Sequence, residues 1–212
     1  MASLNEIARA FIDSINQPFN FMLLQRVKFH VKHLRAKFIR QDFERNPISR
    51  NIVMTYVDNL IKVDELDNCI IDIGCTILRT KNKVPKPVQL KGELFQYVGS
   101  VNYAAGAWGE ITPNELETIR YNIWTSKKTR FHYTNDYIYV HTEKKRLKYI
   151  RIDSIFEDPA KAVTICNDSV NCITDDDEFP ISLHMLDMIY KEMRTIAILA
   201  KILKDEEVTN DS

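Results

Sequence analysis

Apolar residues near the start of the chain recur at helical spacing. Ile7, Phe11, Ile12 and Ile15 give a first helix its apolar face, and Ser3 with Glu6 three residues later is a capping-box start. This helix is predicted to run to about Asn16 and to end at Pro18, whose ring cannot continue it. Leu24, Val27, Val31, Leu34 and Phe38 repeat the three-four spacing in a second helix, predicted to reach about Arg45 ahead of Asn46 and Pro47. From Ile52 the text turns β-branched and aromatic through Val53, Tyr56, Val57, Ile61 and Val63. That predicts a strand ending near Asp64, although a short helix also fits.

Residues 69–90 read as two strands flanking Lys81 to Pro87, where Pro85 and Pro87 forbid both helix and regular ladder pairing. The result is a stiff, extended, basic arm, suited to contact with a partner. A strand is predicted over Phe95 to Val101, then a small-residue loop from Tyr103 to Gly109 that carries Trp108. Thr112, Pro113 and Glu115 open a helix through Leu116, Ile119 and Ile123. The clearest β signal runs from Thr129 to Ile152. Phe131 to Thr134 and Tyr137 to Val140 flank an Asn135-Asp136 turn, and Leu147 to Ile152 follows a charged turn, Glu143 to Arg146, which predicts a three-stranded antiparallel meander. Asp158-Pro159 caps one helical turn. Leu186, Ile189, Met193, Ile196, Ala200 and Leu203 mark a last helix over about Ser182 to Asp205, roughly 35 Å long at 1.5 Å per residue. Helices at both ends and a β-rich middle make the chain α+β. It divides as residues 1–63, a β-rich 64–160 with its arm at 79–90, and an acidic 161–212 with the long helix, read as one compact structural unit.

Composition narrows the class. With 212 residues and 45% hydrophobic content the chain can bury a core, and five glycines and seven prolines exclude collagen-like or low-complexity sequence. No signal peptide and no apolar run of membrane-spanning length is encoded. Cys69, Cys75, Cys166 and Cys172 form two pairs with five intervening residues. That is too wide for a zinc knuckle, so buried free thiols in a reducing cytoplasm are expected.

Charge changes the picture more. The chain is formally neutral, yet residues 21–40 carry Arg26, Lys28, Lys32, Arg35, Lys37 and Arg40 with no acid. Residues 153–212 hold fourteen acids against five bases. A basic front and an acidic tail can attract a polyanion or the other end of a second copy, while a plain solvated face remains the alternative for the helix.

No catalytic constellation appears. The glycines form no phosphate-binding loop, so no enzyme, cofactor or metal is expected. His30 and His33 share a helix face without a third ligand and read as surface histidines. His132 and His141 can meet across strands as ordinary packing. Asp175, Asp176, Asp177 and Glu178 lack the glycine turn of a calcium loop and are read as acids near the N-terminus of the last helix, favoured by its dipole. Tyr133, Tyr137, Tyr139 and Tyr149 suggest either a base-stacking platform or core packing, with packing preferred. A nucleic-acid-binding module built on helix 21–40 is the alternative function.

The run Cys75-Thr76-Ile77-Leu78-Arg79-Thr80-Lys81-Asn82-Lys83-Val84-Pro85-Lys86-Pro87-Val88, with Phe95 and Tyr97-Val98-Gly99-Ser100-Val101 after it, resembles virion neck proteins of crAss-like short-tailed bacteriophages. Asn135 to Val140, Ile152, Ile155 to Pro159 and Phe179-Pro180-Ile181 before the closing helix continue the likeness. The resemblance implies a helical body built from both termini with a β-rich insertion. It implies a non-enzymatic head-to-tail connector (ring or adaptor) that forms a closed ring, commonly of twelve copies, beneath the portal protein. Other neck and tail proteins would be its partners, and double-stranded DNA would pass through its lumen. It would be assembled in the host bacterial cytoplasm and reside at the virion's portal vertex. On that reading Arg26, Lys28, Lys32, Arg35, Lys37 and Arg40 are candidate interface or DNA-channel residues. Arg79, Lys81, Lys83, Pro85, Lys86 and Pro87 are a candidate inter-subunit arm, and Asp175, Asp176, Asp177 and Glu178 a candidate acidic interface.

Overall fold

The computed structural model describes residues 2–17, 19–43, 52–63, 76–90, 92, 94–102, 106–112, 114–115, 128–142, 147–162, 164–166, 169–171 and 174–210. Pro18, Asn46, Pro47, Cys69, Cys75, Cys172, the loop residues Tyr103 to Ala105, Pro113, the helix predicted beyond Glu115 and the turn Glu143 to Arg146 lie outside the described residues. Among the described residues the fold is α+β, with three long helices and a β-rich middle. The chain forms two compact units, one from Met1–Ile52 with Thr174–Ser212 and one from Val53–Ile173.

In the terminal unit, α1 (Leu4–Ser14) begins with the predicted capping box. Ser3 Oγ accepts from the Glu6 amide at 3.1 Å, and the Glu6 carboxylate accepts from the Ser3 amide at 2.9 Å. It buries Leu4, Ile7, Ala8, Phe11 and Ile12. Asn16, in left-handed conformation with φ 57°, turns the chain away beyond its end. The next helix, α2 (Phe21–Phe43), is started by Asn20, whose side chain accepts from the Leu23 amide at 3.0 Å. Its predicted stripe is buried at Val27, Val31, Leu34 and Phe38. The last helix, α3 (Leu183–Asn210), is capped by Ser182 and buries Met185, Ile189 and Met193. Tyr190 ties α3 to α1: its ring stacks on Phe11 at 6.3 Å and its hydroxyl donates to the Ile7 carbonyl at 3.2 Å.

The central unit is a seven-stranded mixed sheet with a two-stranded hairpin, β8 (Thr164–Cys166) and β9 (Ser169–Asn171). The sheet contains β1 (Met54–Lys62), β2 (Thr76–Thr80), β3 (Tyr97–Gly99), β4 (Gly109–Glu110), β5 (Arg130–Thr134), β6 (Tyr137–Thr142) and β7 (Tyr149–Ser154), in the order β3-β7-β1-β2-β6-β5-β4. The hairpin β5–β6 turns at Asn135 and Asp136, with φ 53° and 65°, as their tolerance of positive φ predicts. The three-stranded meander is not formed. Strand β7 pairs with β1 and β3, so β1 and β2 stand between it and β6. Six register pairs from Met54–Ser154 to Asn59–Tyr149 hold β7 on β1, a nonlocal match that local periodicity does not encode.

Alternation along the strands directs Tyr56, Leu78, Phe131, Ile138, Val140, Ile150 and Ile152 to one core. The proline segment helps to close that core. Val84 and Val88 are buried, the Val88 amide donates to the Ile155 carbonyl at 2.7 Å, and Pro87 bridges Phe156. Among the described residues the strand expected after Pro87 does not form at 88–90: Pro85 and Pro87 lack the N–H a continuous ladder needs, so pairing is limited to isolated bonds. The buried Asp58 of β1 secures its start. The carboxylate accepts from the Asn59 amide at 2.8 Å, the Asn82 amide at 2.8 Å and Asn82 Nδ2 at 3.0 Å, while burial nonetheless raises its pKa. Asp58→Ala leaves these donors without their acceptor and is expected to destabilise the central unit by about 2 kcal/mol. Urea unfolding measures this, and Asp58→Asn should lose less.

Candidate interface site

The six cations of α2 fall into two groups. Arg35 is fully enclosed: its Nε donates to the Pro180 carbonyl at 2.8 Å and its guanidinium lies 5.6 Å from the Phe179 ring centre. Lys28 is buried and its ammonium meets Asp175 at 2.8 Å. Lys37 pairs with Glu192 of α3 at 2.9 Å, both side chains staying about 40% exposed. Such a half-exposed pair is worth well under 1 kcal/mol. Arg26 and Arg40 are exposed and Lys32 half-buried. The front and the acidic tail therefore attract one another partly within one chain.

The acidic run has the same inward use. Besides the Asp175 pair, Asp176 accepts from Asn5 Nδ2, and the Asp177 carboxylate accepts from the Thr174 amide and hydroxyl, which lowers its pKa. Glu178 is exposed, and its backbone bridges Ser3. None of the four lies in the first turn of α3, so the dipole reading is replaced by a loop fastened to α1 and α2.

In the proposed arm Lys81, Lys83 and Lys86 are exposed, whereas Pro85 and Pro87 are buried. Arg79 belongs to β2 and its guanidinium stacks on Tyr137 at 4.2 Å. The segment is a strap on its own sheet that displays three lysines.

The sheet face opposite the core collects Arg79, Tyr137, Tyr139, His141, Arg130 and His132. His132 stacks on Tyr139 at 4.9 Å, and His132 Nδ1 meets His141 Nε2 at 2.9 Å. Burial depresses both imidazoles, and His132 beside it helps to bring His141 down to about 4. Tyr133 points to the core face against Phe95, with its phenol pushed up to about 12 by burial. The four tyrosines thus do not form one platform, and Arg79 and His132 already cover a face of Tyr137 and of Tyr139.

One feature escaped sequence reasoning. Phe19, Phe21, Met22 and Phe29 are 98%, 68%, 68% and 67% exposed, and Leu183 is 81% exposed. The signal was present, because Phe21, Met22 and Phe29 are apolar residues off the buried stripe of α2. His30 is half-buried against Phe29 and His33 is exposed. Among the described residues no three His, Cys, Asp or Glu side chains group as a metal site, and no helix is long and apolar enough to cross a membrane.

Buried polar groups secure this α+β fold, and its surface carries exposed apolar and charged side chains. A family model described as phage tail ring protein 2, the crAss ring 2 family, matches residues 5–212, and the chain belongs to that family. No curated protein matches it. It is a bacteriophage structural protein of the virion.

Proposed function

We propose that this chain is the repeating subunit of a closed, twelve-copy ring that joins the portal to the tail and forms part of the DNA exit channel. The observation that carries this reading is the match to a ring-protein family over nearly the whole length of the chain. A closed ring needs two different surfaces of the same subunit to meet, and charged patches of opposite sign favour one register. The exposed lysines of the strap, Lys81, Lys83 and Lys86, are candidates to reach a neighbouring subunit. Arg26, Lys32, Lys37 and Arg40 are the candidates to face a neighbour or the DNA lumen, while Lys28 and Arg35 act inside the subunit. Portal and other neck proteins would be the axial partners, with assembly in the host bacterial cytoplasm and residence at the portal vertex. Mixing the purified chain with portal and neck components and weighing the products by native mass spectrometry tests the proposal. A closed oligomer bound to portal is expected; a chain that stays monomeric overturns it.

A further inference from the structure

The α1–α2 corner is a built projection. Asn16 in left-handed conformation ends the first helix, and the Asn20 side chain caps the second at 3.0 Å. Between and just after them stand Phe19, Phe21 and Met22, around a shallow open depression lined also by Asn16, Gln17 and Asn20. Phe29 lies seven residues after Met22, two turns along the same side of α2. At roughly 200 Å² per large side chain, the four leave roughly 600 Å² of apolar surface in water. That is the upper end for an ordinary monomer and about three-quarters of the ~800 Å² one partner contributes to a stable interface.

Charge indicates what covers it. On α2, Arg26 is exposed one turn after Met22. On α3, Asp187 is exposed one turn after the 81% exposed Leu183. Neither Arg26 nor Asp187 is in an ion pair among the described residues. Each helix thus shows an apolar residue and a charge at i, i+4, with opposite signs, so one can receive the other with apolar on apolar and cation on anion. Both motifs are exposed in the same chain, so a second copy is the occupant that supplies the match.

We infer that the corner of Phe19, Phe21 and Met22, with Phe29 and Arg26, is an inter-subunit plug that docks on the Leu183–Asp187 turn of a neighbouring copy. The contact is heterologous, as ring closure requires, and the inference rests on the ring reading above.

The test compares assembly of wild type, a Phe19→Ser, Phe21→Ser, Met22→Ser triple variant, Phe19→Ser alone, Arg26→Glu, Asp187→Lys and the charge-swapped double variant. Each is mixed with portal and neck components and followed by native mass spectrometry, with thermal melts alongside. The triple variant is expected to need at least tenfold more protein to assemble while its melting midpoint stays at the wild-type value. Phe19→Ser alone, at the most exposed position, should weaken assembly in the same direction. Each charge variant should weaken assembly and the double variant should restore it. Triple-variant rings that form at wild-type concentrations overturn the plug while leaving the ring reading intact, and so do rings that form normally but no longer bind portal. A double variant that fails to rescue also overturns it. A wild type that never assembles overturns both readings together.

Discussion

Arg35→Ala is expected to destabilise the terminal unit by about 3 kcal/mol, against no more than about 0.5 kcal/mol for Arg26→Ala nine residues earlier on the same helix. The difference follows from position. Arg35 has no exposed surface, and its Nε bond to Pro180 and its seat over Phe179 join α2 to the segment that enters α3. Truncation leaves a carbonyl without its donor and a cavity the size of the lost stem, and both penalties are large in a packed interior. With total stabilities of about 5–15 kcal/mol, a loss of this size shifts the unfolding midpoint by many degrees. Arg35→Met retains the stem and should lose less than half as much. Chemical unfolding of the three variants decides the matter: equal effects at Arg35 and Arg26 would mean that the helix carries one undivided basic face.

Acidification from pH 7 to pH 5 is expected to destabilise the central unit by about 2 kcal/mol through His141. Its folded pKa lies near 4, below the ordinary value of 6.5, because burial disfavours the cation and His132 stands against it. Arg130, directly opposite on β5, adds no anion to offset a new charge. The unfolded chain therefore takes up the proton first. This contribution to stability is complete above about pH 6.5 and is lost as the pH falls towards 4. The depressed His132 acts in the same direction. Urea midpoints at the two pH values measure the loss, and His141→Gln should at least halve it. A wild-type midpoint that does not move would show that His141 protonates in place at its ordinary pKa.

What the sequence made legible was local. Ser3 and Glu6 form their capping box because both partners lie within one turn, and Asn135-Asp136 makes its hairpin because the turn needs only residues that accept positive φ. The α2 stripe was legible for the same reason, one helix being enough to define it. Strand order was not, since the insertion of β1 and β2 between β6 and β7 depends on pairing across nearly a hundred residues. The candidate site divided similarly. Six cations without an acid were visible, but the acceptor of Arg35 lies 145 residues away and the partner of Lys28 lies 147 away, so which cations face inward was not. The exposed Phe19, Phe21 and Met22 were hidden in plain text, because apolar residues beside a helix start read first as core.

The most direct test of a ring subunit is a reconstruction of the portal vertex in purified virions, in which density for this chain is traced. The expected result is a closed ring of twelve copies coaxial with the portal, with the α1–α2 corner of each copy against the start of α3 in the next. Density showing the chain absent from the vertex, or present only as isolated copies off the axis, would contradict it.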